Sequence, residues 1–217
     1  VIAQYADQAV FIRVFKPTNQ YVKANYNTLN YSFALNPRML LGNRAKGFKK
    51  LLSNLFLQTS LQLNQKQQAG GFVQMNPFKA PLSDTSLITR SSVLVNSFSV
   101  NKLNPKWGFD ISNNQNTSKA LLTYGYQTQS IKEWNLRTRW NLSRSFLFTS
   151  QWKKGNNFLL TNTKNFDNSN YNVNQYSMEP DISYTQRANL RITLGYKYSA
   201  KKNEEVYGGE TYYSRSL

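Results

Sequence analysis

Glu179 and Asp181 lie two residues apart in a stretch where polar and apolar residues alternate, a spacing that puts both carboxylates on one face of a β-strand. Two carboxylates can divide acid and base roles when their surroundings pull their pKa values apart. The same spacing equally serves a plain ion pair, for which Arg191 or Arg137 is the expected partner. Glu204 and Glu205 adjoin in a polar stretch without the ligand spacing of a calcium loop. Gly208-Gly209 is not followed by the lysine and hydroxyl residue of a phosphate loop, and Gly70-Gly71 reads as a turn. The sequence holds neither histidine nor cysteine. A histidine-based triad, a thiol nucleophile, a thiolate metal site and a disulfide are therefore all excluded from it. No catalytic, metal or cofactor site is expected, and the chain reads as a non-enzyme.

Cations and aromatic residues are plentiful instead. Lys and Arg number 27 against 10 Asp and Glu, a formal charge of +17. In a soluble protein that balance would first point to nucleic acid, but no basic helix or recognised motif accompanies it. Arg137, Arg139, Arg191 and Lys197 fall on the polar beat of alternating segments, while Arg144, Lys153, Lys154, Lys201 and Lys202 fall in turns and loops. A solvated polar surface is the simple reading. Contact with anionic lipid head groups or the phosphates of lipopolysaccharide is the sharper one. Trp107, Trp134, Trp140, Trp152, Tyr196 and Tyr198 lie near segment ends, where aromatic side chains gather at membrane interfaces.

The elements that carry these residues are strands. Trp134, Leu136, Thr138, Trp140 and Leu142 alternate with polar neighbours, and after Ser143-Arg144-Ser145 the beat resumes at Phe146, Phe148, Ser150 and Trp152. A second hairpin runs from Tyr176 to Tyr184, turns around Arg187-Ala188-Asn189, and returns through Leu190, Ile192, Leu194, Tyr196 and Tyr198. Each strand thus has one apolar and one polar face. This is the pattern of a transmembrane β-barrel, in which ~9–11 tilted residues cross the bilayer with lipid outside and water within. Further strands are expected at Phe11–Lys16, at 26–35, from Leu55 to Asn64, from Ser86 to Asn101, from Trp107 to Ile111 and from Ala120 to Thr128. Loops or turns are expected at Gln65–Gly71, at the proline breaks Asn76-Pro77 and Ala80-Pro81, at Asn113–Ser118, at Ser130–Glu133 and at Lys201–Glu205. Residues 36–52 mix leucine with arginine and lysine and read as an irregular basic segment with a short amphipathic helix. Residues 154–170 read as one long extracellular loop, with the tight turns on the periplasmic side.

Composition is compatible with this picture. Hydrophobic residues make up 40% and aromatic residues 14% of the chain, too aromatic for disorder. No apolar run approaches the ~20 residues of a membrane helix, a test that barrel strands do not face. The start, Val1-Ile2-Ala3-Gln4, has no signal-peptide pattern, and Leu217 ends a plausible strand on a non-aromatic residue. The chain is therefore expected to be part of a larger barrel.

The runs Leu121-Leu122-Thr123-Tyr124-Gly125-Tyr126, Glu133 to Asn141, Glu179 to Tyr184, Gly195 to Asn203 and Val206 to Glu210 resemble the C-terminal barrel region of large outer-membrane proteins of Bacteroidota. The resemblance spans about residues 25 to 217 and carries no catalytic motif. It implies a longer protein with a periplasmic part, acting in an envelope assembly for protein export, barrel assembly or nutrient uptake. The expectation is therefore a single all-β domain over 1–217, an antiparallel outer-membrane barrel of roughly ten visible strands. Its partners would be outer-membrane lipid, lipopolysaccharide and other envelope proteins, with no nucleic acid and no cofactor. Two alternatives remain open: a small pore with a basic, anion-preferring lumen, and a soluble β-sandwich that binds glycans.

Overall fold

A computed structural model describes residues 21–41, 47–70, 86–122, 125–162, 169–186 and 190–217. The described residues form one antiparallel sheet of ten strands. In chain order these are β1 (Ala24–Leu35), β2 (Leu55–Gln68), β3 (Leu87–Val100), β4 (Trp107–Leu122), β5 (Gly125–Asn141), β6 (Phe146–Thr161), β7 (Tyr171–Gln186), β8 (Leu190–Gly195), β9 (Lys197–Asn203) and β10 (Thr211–Ser216). Each strand pairs with the next, as expected of a meander, except that β8 and β9 both pair with β7. They are one strand in register, interrupted at Tyr196. Pro180 faces the interruption: its carbonyl accepts from the Tyr196 N–H at 3.0 Å, but it has no N–H to return to Tyr196. All ten strands lie in one sheet, not in the two face-packed sheets of a sandwich. Among the described residues its edges are β1 on one side and β10 with the unpaired outer side of β8 on the other, and the sheet is not closed into a barrel.

Between β1 and β2 stand two short helices, α1 (Pro37–Leu41) and α2 (Phe48–Ser53), on the segment expected to hold one. Asn36 caps α1, its side-chain oxygen accepting from the Arg38 N–H at 3.3 Å, and Pro37 occupies the first position, where a missing N–H costs nothing. Gly47, at a φ of 59°, admits the chain to α2.

Strands run further than the alternation of apolar residues indicates. Asn113–Ser118 and Ser130–Glu133, read as loop and turn, lie within β4 and β5, which instead meet at residues 123–124. Lys154–Thr161, assigned to the long loop, continues β6, so the connection to β7 begins only at Asn162. Residues 65–68 belong to β2 and 201–203 to β9. Residues 113–118, 65–68 and 201–203 are polar on both faces. Ile131 and the run Phe158-Leu159-Leu160 put apolar residues on the wrong beat or on both beats, so alternation fails there as well. A ladder needs only paired backbone groups, and it persists where the side chains have stopped signalling it. The expected strand at 11–16, the breaks at 76–81 and the turn at 187–189 lie outside the described residues.

The ladder is also sheared. Starting at Leu35, the last residue of β1, one row of partners passes through Leu57, Phe98, Ile111, Leu136 and Trp152 to Met178. Met178 is eight residues short of the end of β7 at Gln186. The strand ends on the side of the 101–106, 142–145 and 187–189 links, the short-turn end, thus step along the ladder by eight residues between β1 and β7. The longer 36–54 connection also lies at that end, and the two-residue 123–124 link lies at the other, against the expected alternation.

Candidate functional surfaces

Following the ladder from strand to strand sorts the side chains onto two faces. One, the aromatic face, gathers Phe33, Tyr31 and Leu29 from β1, Leu55 to Leu63 at alternate positions from β2, and Phe98 and Leu94 from β3. It continues through Trp107, Phe109, Ile111, Leu136, Trp134, Trp140, Phe148 and Trp152 to Met178, Ile182, Ile192 and Leu194. All six aromatic residues singled out in the sequence, Trp107, Trp134, Trp140, Trp152, Tyr196 and Tyr198, lie on this one face. Phe146 and Tyr184 meet across strands in a tilted contact at 4.8 Å, and Trp152 meets Tyr176 edge-on at 6.5 Å. The Trp152 indole N–H donates to the Ser150 hydroxyl at 2.6 Å.

The apolar positions form a belt next to the short turns. On β7 it runs from Tyr176 to Tyr184, and on β2 from Leu55 to Leu63. Each stretch is eight residue steps, about 26 Å along the strand. Directly beyond the belt the same face carries polar residues: Asn27 on β1, Gln65 on β2, Lys132 on β5, Asn156 on β6 and Asn174 on β7. Leu121, Tyr126, Phe158 and Leu160 then follow at the far ends of β4 to β6.

Burial divides the belt. On β2 and β3, Leu61, Leu63, Leu94 and the neighbouring Gln65, Gln67 and Arg90 are buried, and Leu63 and Gln67 are wholly inaccessible. From β4 to β8 the same face is open: Trp134 is 54% exposed, Trp140 57%, Ile192 55% and Leu194 67%. Of the large apolar residues more than a third exposed on described strands, only Tyr26 and Tyr212 belong to the other face. The chain exposes 16516 Å² in all, against roughly 10,000 Å² for a compact monomer of this mass.

The opposite, polar face holds all four carboxylates of the described strands, Asp110, Glu133, Glu179 and Asp181. It also holds the four basic residues expected to share a face, Arg137, Arg139, Arg191 and Lys197. One ladder row reads Asp110, Arg137, Gln151, Glu179. Glu179 pairs with Lys197 at 3.0 Å, not with Arg137 or Arg191 as expected, because constant register across the Tyr196 interruption sets Lys197 directly opposite. Three glycines on this face let polar side chains lie flat. Gln175 reaches across Gly155 to donate to Glu133 at 2.8 Å, and a Cβ at Gly155 would stand 2.8 Å from the Gln175 amide nitrogen. Asp181 rests on Gly195. Arg139 lies over Gly108 and donates to the Asn104 carbonyl at 3.0 Å. The sequence shows none of these contacts, since each depends on register between segments far apart in the chain and on a glycine that leaves room for the side chain.

At the short-turn end, α1, α2 and the 101–106 turn enclose a cleft of about 760 Å³ whose lining includes Arg38, Lys50, Lys102 and Lys106 and no carboxylate. The Lys102 ammonium sits 4.5 Å from the Phe56 ring centre. Among the described residues no three acidic side chains gather to hold a metal ion, and no helix is long and apolar enough to cross a membrane. Chemically, the sheet is a partition. It offers a greasy, aromatic surface on one side and a hydrogen-bonded, charged surface on the other, with about one strand thickness between. No family model, curated protein or solved structure matches the chain, so the partition itself carries the functional argument.

Proposed function

We propose that the chain is a stretch of wall from an outer-membrane β-barrel, non-enzymatic, serving a multiprotein envelope complex. Its aromatic face meets lipid and its polar face looks into an aqueous interior. The observation that carries this reading is the open belt on β4 to β8, set directly against the charged ladder of the other face. An exposed apolar surface of that extent is unusual on a soluble monomer, and a membrane supplies the solvent it lacks.

Shear supports the same reading. If the short turns lie in one plane, eight residues of stagger over the six steps from β1 to β7 give ~1.3 residues, or ~4.4 Å, per ~4.8 Å strand spacing. The strands then tilt by about 40°, within the ~35–45° of transmembrane barrels. On such a tilt, the nine-residue belts of β2 and β7 meet the lower end of the ~9–11 residues that cross a bilayer. A free sheet edge has no place in hydrocarbon, so β1 on one side and β8 with β10 on the other are where further strands complete the wall. The likeness of the Glu133–Asn141 and Gly195–Asn203 runs to Bacteroidota outer-membrane proteins favours an envelope assembly as its setting.

The absence of cysteine makes the test clean. Single variants Asn162→Cys and Arg144→Cys, both at exposed positions, are expressed in whole cells and treated with a membrane-impermeant thiol reagent. Asn162→Cys, at the long-loop end, labels from outside, and Arg144→Cys labels only after the cells are opened. Equal labelling of both in intact cells, or a chain that stays monomeric in solution without detergent, overturns the proposal.

A further inference from the structure

Charge is distributed unequally on the aromatic face. No carboxylate of any described strand points to it, yet six cations do: Arg90, Lys119, Lys132, Lys154, Lys202 and Arg215. Arg215 sits at belt level on the edge strand. The other five lie at or beyond the belt's long-loop border, and none lies at its short-turn border.

Lys132, Lys154 and Lys202 are exposed, and none has a carboxylate partner among the described residues. Lys154 stands in one ladder row between Trp134 and Tyr176, so its ammonium emerges between two rings of the belt's border. The next row passes from Gln115 through Lys132, Asn156 and Asn174 to Lys202. Diagonal neighbours on adjacent strands stand ~7–8 Å apart, so Lys132 and Lys154 can reach a single anion from two sides. Between Lys132 and Lys202 the Asn156 side-chain nitrogen already bridges to Asn172 at 2.6 Å and Asn174 at 3.0 Å, which holds the amide row flat between the lysines.

Cations and amides immediately above an aromatic border, with an apolar belt beneath, complement a lipid carrying a negatively charged phosphate. Acyl chains would lie along the belt, and the phosphate would sit at the height of the lysines. We infer that Lys132, Lys154 and Lys202 form a docking site for anionic phospholipid-type head groups on the outer wall, on the long-loop side of the membrane. This inference rests on the membrane reading above.

The full chain is reconstituted into vesicles of phosphatidylcholine, alone or mixed with phosphatidylglycerol, and the selectivity of the protein-bound lipid shell is read with spin-labelled lipids. The native chain is expected to enrich the anionic lipid. The triple variant Lys132→Gln, Lys154→Gln, Lys202→Gln should insert equally well but lose that enrichment by on the order of tenfold. A control with the same charge removed from the other face, Lys66→Gln, Lys153→Gln, Lys201→Gln, should keep it. Insertion of the native chain without anionic preference, or equal loss in both triples, overturns the lipid site and leaves the membrane wall standing. Inorganic phosphate binding with the same dependence on the three lysines also overturns it, by showing a soluble anion as the ligand. Failure of the native chain to enter either vesicle overturns both inferences together.

Discussion

The pair β2–β3 and the run from β5 to β8 present the same face of the same sheet with opposite fates. Leu61, Leu63 and Leu94 are covered, whereas Trp134, Trp140, Ile192 and Leu194 are bare. Alternation is equally regular in both, so periodicity fixes which residues share a side and says nothing about what lies beyond it. The covered region can draw stability from burial within the chain itself. The bare region can draw it only from another solvent or another molecule. Among the described residues just four apolar side chains, Leu61, Leu63, Leu87 and Leu94, are buried. They are a small core for a sheet of ten strands, and the bare belt must find its stabilisation elsewhere.

Substitutions in the two regions separate these sources. Leu63→Ala removes an inaccessible side chain and should cost about 2–5 kcal/mol, the range for large-to-small changes in packed sites. Urea titration in detergent and in vesicles should show similar losses, because the packing is internal. Leu194→Arg, at a belt position 67% exposed, should cost about 2–4 kcal/mol in vesicles. In water such a surface change should stay within about 0.5 kcal/mol. If the two media give the same small value, the bare face is not a lipid face.

Changes on the polar face should be smaller and indifferent to lipid. Gly155→Ala forces its Cβ against Gln175 and breaks the hydrogen bond to Glu133, for a loss of about 1–2 kcal/mol. The denaturation midpoint in detergent reads it directly. Lys197→Gln removes the ion pair with Glu179, whose lysine is 56% exposed. Screening holds that loss to about 1 kcal/mol or less, and raising the salt concentration should shrink the difference between native and variant further.

How much was legible follows one physical boundary. Strands were readable where they cross the belt, because there one face must be apolar and the other not: Trp134 to Leu142, Phe146 to Trp152 and Tyr176 to Tyr184 lie within strands or their immediate turn as expected. Past the belt alternation fails. Asn113–Ser118 is polar on both faces, and at Ser130–Glu133 and Lys154–Thr161 polar residues mix with Ile131 and the unbroken run Phe158-Leu159-Leu160. Asn, Ser and Lys there look like loop residues although the ladder continues. The partner of Glu179 was missed for a related reason. Sequence parity places Arg137, Arg191 and Lys197 on one face, but only register decides which of them stands opposite.

The order of residues alone determined the period-two beat, the division into an aromatic and a charged side, and the exclusion of histidine and cysteine chemistry, because these depend only on side-chain type and strand geometry. Tertiary structure decided where each strand ends, how far each is shifted against the next, and which part of the aromatic face is covered. Those properties arise from backbone pairing between segments distant in the chain, and backbone groups are the same whatever side chain they carry.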